Sequence, residues 1–521
     1  MVSETFPVVS VAEMRALEAA AIEAGASERE LQERAGRTVA EAVSERVARS
    51  GVSVAVLVGA GNNGRDAVVA GRYLAEWGHS VQIWLGPRHS LEPAEIAALG
   101  AAGIGVSAAD VARRGEDLRR SLAQARVAID GLLGIGARGP MRAELAEIAG
   151  LLNEARAARP DLLVVSVDLP SGVNADDGSI PGAAVRADVT VTFGAVKAGL
   201  LRFPAAELVG TLEPRPIGLP AEQLERLPIR ILDLPGVRPS LPSRPLDAHK
   251  YRFGRVLVVA GSGQFIGAAY LCAASAARSG CGLVAVATTD AVKRVLASRL
   301  PEATYPTPTL GLERDAAAAA DSLVEALPDY QALVLGPGIG RSAVTARFLT
   351  RLLEANARAS QPVSAIIDAD ALNLLASWDG WWERIGPGHV LTPHAAEMGR
   401  LAGMDARRVA EGAWHVAREH AQRWRQVVVL KGPFTTVASP DGHAWVYPRA
   451  NPGLATAGTG DVLAGLCGGL VAQGCSPLAG ARLAVVVHAV AGRLVLEERA
   501  WRTLLASDLI EQIPRVLRSI G

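Results

Sequence analysis

Cysteine is scarce: Cys272, Cys281, Cys467 and Cys475 are the only four in a chain of 521 residues, and no two form a CxxC pair. Such sparse spacing excludes a disulfide framework and suits a protein of the reducing cytoplasm. Net charge is absent as well, because Lys+Arg and Asp+Glu each total 53. No global field then draws in nucleic acid or an anionic membrane, and any phosphate binding must be local. No unbroken apolar run approaches the roughly 18 to 20 residues of a membrane span. The opening MVSETFPVVSVAEMRALEAA lacks the basic and apolar regions of a secretory signal. A soluble, unexported protein is expected, without nucleic-acid or membrane partners. Lysine is as rare as cysteine, with only Lys197, Lys250, Lys293 and Lys431 among a large excess of arginine. A retained lysine points to a place that needs a compact ammonium rather than the larger guanidinium fork.

What is present is an ordinary globular composition, 50% hydrophobic and 20% charged. The length exceeds what one core supports, so two or three domains are expected. From Val52 to about Ala195 short apolar runs alternate with Ala-rich helical stretches: VSVAVLVGAG, SVQIWLGP, ARVAIDGLLG, LLVVSVDLP and DVTVTFGA. Strands so uniformly apolar predict a parallel sheet covered on both faces. Prolines crowd between Pro214 and Pro245, as in a linker, which sets the predicted domains at residues 1–222 and 223–521. The alternation then restarts with RVLVVAGS, LVAVATT, ALVLGPG, SAIIDAD, HVLTP, QVVVLKG and TTVAS, a second α/β domain. The Ala-rich segment from Glu313 to Leu327 predicts a surface helix.

In the C-terminal half, NPGLATAGTGDVLAGLCGGLVAQG places Gly458 and Gly460 just before an apolar helical stretch. Glycine lets backbone approach a ligand, and the free N–H groups of a helix start favour an anion. Asp461 is the informative residue, because an acid beside a phosphate site is unfavourable unless it has a task. Accepting the proton of a hydroxyl that attacks a phosphoryl group is such a task; a capping aspartate on a tight turn is the alternative. GPGIG, DADALNLL and TPHAAEM end further strands, where open α/β sheets place their ligands. VVVLKGPFT sets Lys431 and Gly432 at another strand end, suited to nucleotide phosphates.

These strings in this order resemble the ADP- or ATP-dependent NAD(P)H-hydrate dehydratases, a branch of the ribokinase-like superfamily, from His249 onward. The resemblance implies that Lys431, Gly432, Pro433, Phe434, Thr435 and Gly460 contact the nucleotide. Ala268, Gly338, His394 and Asp461 would contact the hydrated nicotinamide nucleotide. It further implies phosphoryl transfer from ADP or ATP to the ring hydroxyl, with Asp461 as base and Mg²⁺ offsetting charge, then loss of phosphate to restore NAD(P)H. His394 would position substrate or transfer protons; Glu397 would be a partner of metal-bound water or a surface helix acid. The family more often has Pro-Gly at Ala395-Ala396, Gly at Ala260 and Gly-Asp at Tyr251-Arg252.

In the N-terminal half, LVGAGNNGRDAVVAGRYL puts Gly59, Gly61 and Gly64 between a strand and a helix. A glycine pattern alone is a weak signal, but Asn62, Asn63 and Asp66 add polar groups that a plain turn does not need. AIDGLLGIGARGP, VDLPSGVNADDG and VTVTFGAVKAGLL follow with polar groups at strand ends. Residues from about 10 to 220 resemble the NAD(P)H-hydrate epimerases, commonly fused to the dehydratase in this order. That resemblance implies a Rossmann-like three-layer domain ahead of the ribokinase-like α/β domain. Asn62, Asn63, Gly64, Arg65 and Asp66, with Gly134, Ile135, Gly136, Ala137, Arg138, Gly139 and Pro140, would line the substrate. Asp168 would be the acid or base at C6, and Asn63, Asp130 and Ser171 would hold K⁺. For Asp168 a turn aspartate before Pro170 is the alternative. Arg65 and Ala67 depart from the usual NNGGDG, and LQERAG replaces LMENAG. Arg65 would pair with a substrate phosphate or crowd the pocket.

The resemblance as a whole implies NAD(P)H hydrates and ADP or ATP as the molecules bound, and a homo-oligomer. The competing reading is a ribokinase-like small-molecule kinase carrying a non-catalytic N-terminal binding module.

Overall fold

The apolar strings of the N-terminal half become strands in the computed structural model, which describes residues 5–47, 50–306, 315–499 and 501–521. They are β1 (Val8–Val9), β2 (Ser53–Val58), β3 (Ser80–Leu85), β4 (Gly105–Ala108), β5 (Val127–Gly131), β6 (Leu163–Val167), β7 (Val189–Phe193), β8 (Val196–Lys197) and β9 (Thr211–Arg215). Seven form one all-parallel sheet in the order β4-β3-β2-β5-β6-β7-β9, and β1 pairs separately with β8. Side chains alternate across a strand. Val54, Val56 and Val58 therefore enter one core, while Ala55 and Leu57 enter another on the opposite face. This is the three-layer arrangement that the uniformly apolar strings predict.

The chain divides into two compact units, Phe6–Leu227 and Pro228–Gly521, the second of which also takes in Thr5. Of the crowded prolines, Pro214 lies in β9 at the edge of the first sheet, where a missing N–H is tolerated. The second unit adds β10 (Ile229–Ile231), β11 (Arg255–Val259), β12 (Leu283–Ala287), β13 (Ala332–Leu335), β14 (Ser364–Ile367), β15 (Val390–Leu391), β16 (Val427–Leu430), β17 (Thr436–Ala438) and β18 (Ala444–Val446). They form one sheet, β10-β18-β17-β16-β15-β14-β13-β11-β12, in which only β17 runs antiparallel to its neighbours. The short strands β4, β9, β10 and β18 carry too little apolar pattern to be read from the sequence.

Two helices of this unit bear on the site. Thr459–Ala472 is buried along almost its whole length. Its glycines allow backbone contact: a Cβ at Gly465 would stand 2.0 Å from the Cys272 carbonyl oxygen, at Gly468 2.2 Å from Val334 Cγ2, and at Gly469 2.2 Å from Ser279 Oγ. Beside it runs Pro477–Glu498, whose 22 residues are long and apolar enough to cross a membrane. This corrects the expectation of no such segment: interspersed Arg482, His488 and Arg493 hide the pattern from a search for unbroken runs. Most of the helix is buried in the core of the second unit, the setting in which a soluble protein makes a helix apolar all round. The Ala-rich helix spans Ala316–Ala326 with Ala316, Ala319, Ala320 and Leu323 turned inward; Glu313 and Arg314 lie outside the described residues.

Candidate active sites

The strand order reverses at β2/β5 in the first sheet and at β11/β13 in the second. The carboxyl ends of the strands beside such a reversal leave a crevice for ligands.

In the second unit β13, β14, β15 and β16 lead into GPGIG, Asp368, His394 and Lys431, so four predicted strings end neighbouring strands. Lys431 Nζ donates to Asp368 Oδ1 at 2.7 Å and lies 3.9 Å from Glu397 Oε2. Gly460 passes close by, since a Cβ there would be 3.3 Å from Lys431 Nζ and 3.8 Å from Asp368 Oδ2. Gly338 packs against Ala268 and Phe265. Beyond Lys431, Gly432 and Pro433 are exposed while Phe434 and Thr435 are half-buried, and Thr435 Oγ1 closes the turn by donating to the Gly432 carbonyl at 3.1 Å.

The helix Thr459–Ala472 starts after Gly458 with no side chain capping it. Its first N–H groups are thus left to a ligand, and the helix dipole favours an anion there. Asp461 is the third residue of this helix and does not cap it, which removes the capping alternative. Burial, together with the Asp368 carboxylate, pushes Asp461 up to about 7, against the pull of Lys431. A carboxyl so tuned is poised to exchange a proton near neutral pH. Beneath the loop, His488 Nε2 lies 2.9 Å from the Thr459 carbonyl oxygen; burial lowers this histidine to about 4, so the neutral ring donates that bond. Gly458 has φ +88, and a Cβ on it would come within 2.5 Å of Leu271 Cδ1. Gly458→Ala is expected to cost about 1–2 kcal/mol and to weaken nucleotide binding, read by thermal melting and by titration with ADP.

His394 is the N-cap of the helix Ala395–Ala402, its Nδ1 accepting from Ala396 N at 3.1 Å and Glu397 N at 3.3 Å. The proton of the neutral ring is thereby assigned to Nε2. Burial and the Lys431 charge lower its affinity for a second proton. The ring is arranged to donate a hydrogen bond rather than to accept a proton. Glu397 is buried, accepts from His394 N at 2.8 Å and is held above the usual carboxylate range by burial; it is no surface acid.

In the first unit the helix Asn62–Glu76 follows β2, again without a side-chain cap. Asn63 is buried, and its Nδ2 donates to the carbonyls of Leu133 at 2.9 Å and Val167 at 2.8 Å, with Gly134 against its side chain. Asp130 is fully buried: Oδ2 accepts from Ser166 Oγ at 2.8 Å and Ser171 N at 2.9 Å, and Oδ1 accepts from Ser171 Oγ at 2.6 Å. Along the loop after β5, Gly134, Ile135 and Ala137 are half-buried, whereas Gly136, Arg138, Gly139 and Pro140 are exposed. Asn62 is exposed and donates to Glu28 Oε1 at 3.1 Å. Arg65 is held by the Ser90 carbonyl at 2.8 Å and by Glu95 at 3.4 Å. Ala67 is buried against Gly131.

Asp168 sits at φ +65, a conformation uncommon outside glycine and typical of constrained sites. Its Oδ1 accepts from the buried Lys197 ammonium, from Thr192 Oγ1 at 3.1 Å and from Phe193 N at 3.1 Å. A turn aspartate would not need a buried cation. Asp66 and Glu18 lie near enough to feel this charge.

The structure places Asp168, Asp66, Asn63, Asp130 and Ser171 around one crevice, and Ala268, Gly338, Lys431, Gly460 and Asp461 around the other. Sequence reasoning gave no role to Asp368, although Asp368 stands in a quoted string and pairs with one of the four lysines. It missed Glu18 and His488, which sit in helices without any local motif.

The chain matches two family models, one described as YjeF-related protein N-terminus over residues 28–199 and one described as NAD(P)H-hydrate dehydratase over residues 256–515. It is 35% identical to the "Bifunctional NAD(P)H-hydrate repair enzyme Nnr" of Moorella thermoacetica, over 94% of this chain and 92% of that one. The protein of the same description from Coxiella burnetii is 36% identical, over 97% and 98%. A crystal structure of the ADP/ATP-dependent NAD(P)H-hydrate dehydratase from Bacillus subtilis, with ATP and Mg²⁺, is 32% identical over 56% of this chain and 98% of its own, at a TM-score of 0.48.

Proposed function

The chain belongs to the family of bifunctional NAD(P)H-hydrate repair enzymes, and from that premise we infer how its residues divide the work. The first unit is the epimerase of R- and S-NAD(P)H hydrate, and the second is the ribokinase-like ADP- or ATP-dependent dehydratase of the S form. A small-molecule kinase with an idle N-terminal module is disfavoured, because the relatives match across both units.

In the dehydratase, the observation that carries the reading is Asp461, raised to about 7 beside an uncapped helix start. Asp461 takes the proton of the ring hydroxyl as that oxygen attacks the terminal phosphoryl group. The loop from Lys431 to Thr435 and the N–H groups around Gly460 hold the nucleotide, Ala268 and Gly338 line the substrate, and His394 Nε2 donates to it. Lys431 is neutralised by Asp368 until phosphate arrives. The C6–O bond of the phosphate ester then breaks, phosphate leaves with the electron pair, and loss of a proton from C5 forms the double bond that restores NAD(P)H. Among the described residues no cluster of three His, Cys, Asp or Glu forms a metal cage. That suits Mg²⁺, which is usually held by one or two carboxylates together with substrate phosphates; Asp368 would supply such a carboxylate. Bound there it would offset charge on the transferring phosphoryl group.

In the epimerase, Asp168 is the base at C6, and the loops Asn62–Asp66 and Gly134–Pro140 line the substrate. Asp130 supports a K⁺ site with Asn63 and Ser171. It is a buried carboxylate whose bonds come only from neutral donors, with no ion-pair partner among the described residues. A monovalent cation would balance that charge and pin the two loops. All four cysteines are free, which supports a reducing cytoplasmic setting, and a homo-oligomer is expected from sedimentation.

Purified protein given hydrated NADH, Mg²⁺ and ADP or ATP is expected to recover the absorbance of reduced nicotinamide. No recovery with either nucleotide would overturn the dehydratase assignment. Supplying the R epimer tests the first unit, which must convert it faster than it epimerises spontaneously.

A further inference from the structure

Asp66 is an acid of the N-terminal crevice that the reading above leaves without a chemical role. It is only 8% exposed, and its Oδ1 is fully buried without a hydrogen-bond partner. A buried, unpartnered carboxylate is costly, and in such a place the group keeps its proton. Its charged neighbours come from three elements: Asp168 after β6, Lys197 on β8 and Glu18 on the helix Val11–Glu23. Only Lys197 is a cation, and it is spent on Asp168 Oδ1, Thr192 Oγ1 and the Phe193 carbonyl. Burial first, then Asp168 and Glu18, hold Asp66 well above the usual carboxylate range. Glu18, itself raised by burial, also faces Arg15 and Glu28. Of two neighbouring carboxyls, one thus accepts from an ammonium and the other keeps its proton in a dry, acidic setting. That difference is how a site obtains an acid and a base from the same residue type.

We propose that Asp66 is the general acid of the epimerisation, working opposite Asp168 as base, with Glu18 a positioning residue that keeps Asp66 protonated. The proposal rests on the epimerase reading of the N-terminal unit. In the hydrate, C6 carries a hydroxyl and is bonded to the ring nitrogen, so its configuration is lost if the ring opens. Asp168 takes the hydroxyl proton through Oδ2, the oxygen that holds none of the bonds described above, and the oxygen electrons form the aldehyde C=O. The C6–N1 bond breaks, its electron pair stays on nitrogen, and Asp66 delivers its proton there. Rotation about C5–C6 presents the other face of the aldehyde. On closure the C6–N1 bond re-forms, Asp168 gives its proton back to the aldehyde oxygen, Asp66 takes back the proton from nitrogen, and nothing is oxidised, reduced or consumed.

The test is conversion of pure R hydrate to S by the full chain, followed by chromatography without ADP or ATP. Asp66→Asn is expected to lower kcat about 100-fold with little change in KM, while dehydration of S hydrate by the same preparation stays normal and reports an intact chain. In the wild type the rate should fall as pH rises through the titration of Asp66. Glu18→Gln removes a negative neighbour, so the alkaline fall should move to lower pH with the maximal rate largely kept. An Asp66→Asn chain that epimerises at the wild-type rate while Asp168→Asn is inactive would overturn the proposal and leave the epimerase reading standing. Full activity of both variants would overturn the two together. Should Asp66→Asn fail to fold, an unchanged pH profile in Glu18→Gln would count against the proposal, and the shift in its favour.

Discussion

Replacing Asp461 by Asn should reduce dehydration of the S hydrate by about 10²- to 10⁴-fold, the range that a positioned base contributes, while ADP still binds. Asn keeps the shape and polarity of the helix start, so the uncapped N–H groups after Gly458 remain. Only the proton acceptor is lost. The wild-type kcat/KM should rise with pH and level off above about 7, because burial and Asp368 raise Asp461 to that value. Stability should show the opposite trend. A carboxyl whose folded value lies above its unfolded one binds a proton on folding, so stability declines as pH rises from about 4 to about 7. Asp461→Asn should therefore melt higher than the wild type at pH 8 and much as it does near pH 4. The slope of the variant is not flat, since His488 is lowered to about 4. A histidine kept neutral by the fold adds stability as pH rises from about 4 to about 6.5. A variant with normal turnover, or a melting difference independent of pH, would refute the role given to Asp461.

Lys197→Met should be the most damaging single change in the first unit. The ammonium is 1% exposed and spends its protons on Asp168, Thr192 and Phe193. Methionine fills similar volume but leaves Asp168 as a buried carboxylate without its cation, a loss of about 3–5 kcal/mol. Amide hydrogen exchange in Val189–Phe193 and Leu163–Val167 should accelerate, and epimerisation should stop. Arginine should not rescue, because its planar fork does not fit a place built around a compact ammonium. Adding Asp168→Asn to Lys197→Met removes the stranded charge, and Asn tolerates the positive φ of this position. The double variant should regain much of the stability and none of the activity. If exchange and melting stay unchanged in Lys197→Met, the buried pair is not what holds this crevice.

Much of this arrangement was legible in the sequence, for reasons that particular residues make plain. The strands β2, β3, β5, β6 and β7 are apolar on both faces because helices cover both, so their strings stand out without alternation. Glycine and polar residues after those strands mark the crevice, since ligands meet the sheet at strand ends. The scarcity of lysine proved informative at Lys197 and Lys431, each of which pairs with an aspartate at its crevice. Glu18 and His488 were not legible. They reach their sites from helices whose own pattern reports only packing, so their roles exist only after the chain has folded. Arg65 shows a third limit: its contacts with the Ser90 carbonyl and Glu95 come from a distant loop and helix and leave no mark in the local string.

The glycines at 465, 468 and 469 have a consequence for motion. Where neighbouring backbone and side chains occupy the space that a Cβ would need, Thr459–Ala472 has no clearance to slide or roll, and tightly packed interiors do not deform gradually. Asp461 is thus mounted on a closely packed helix. Adjustment to a bound molecule is therefore expected in the turns on either side, Lys431–Thr435 and Asn451–Gly458, rather than in the helix itself.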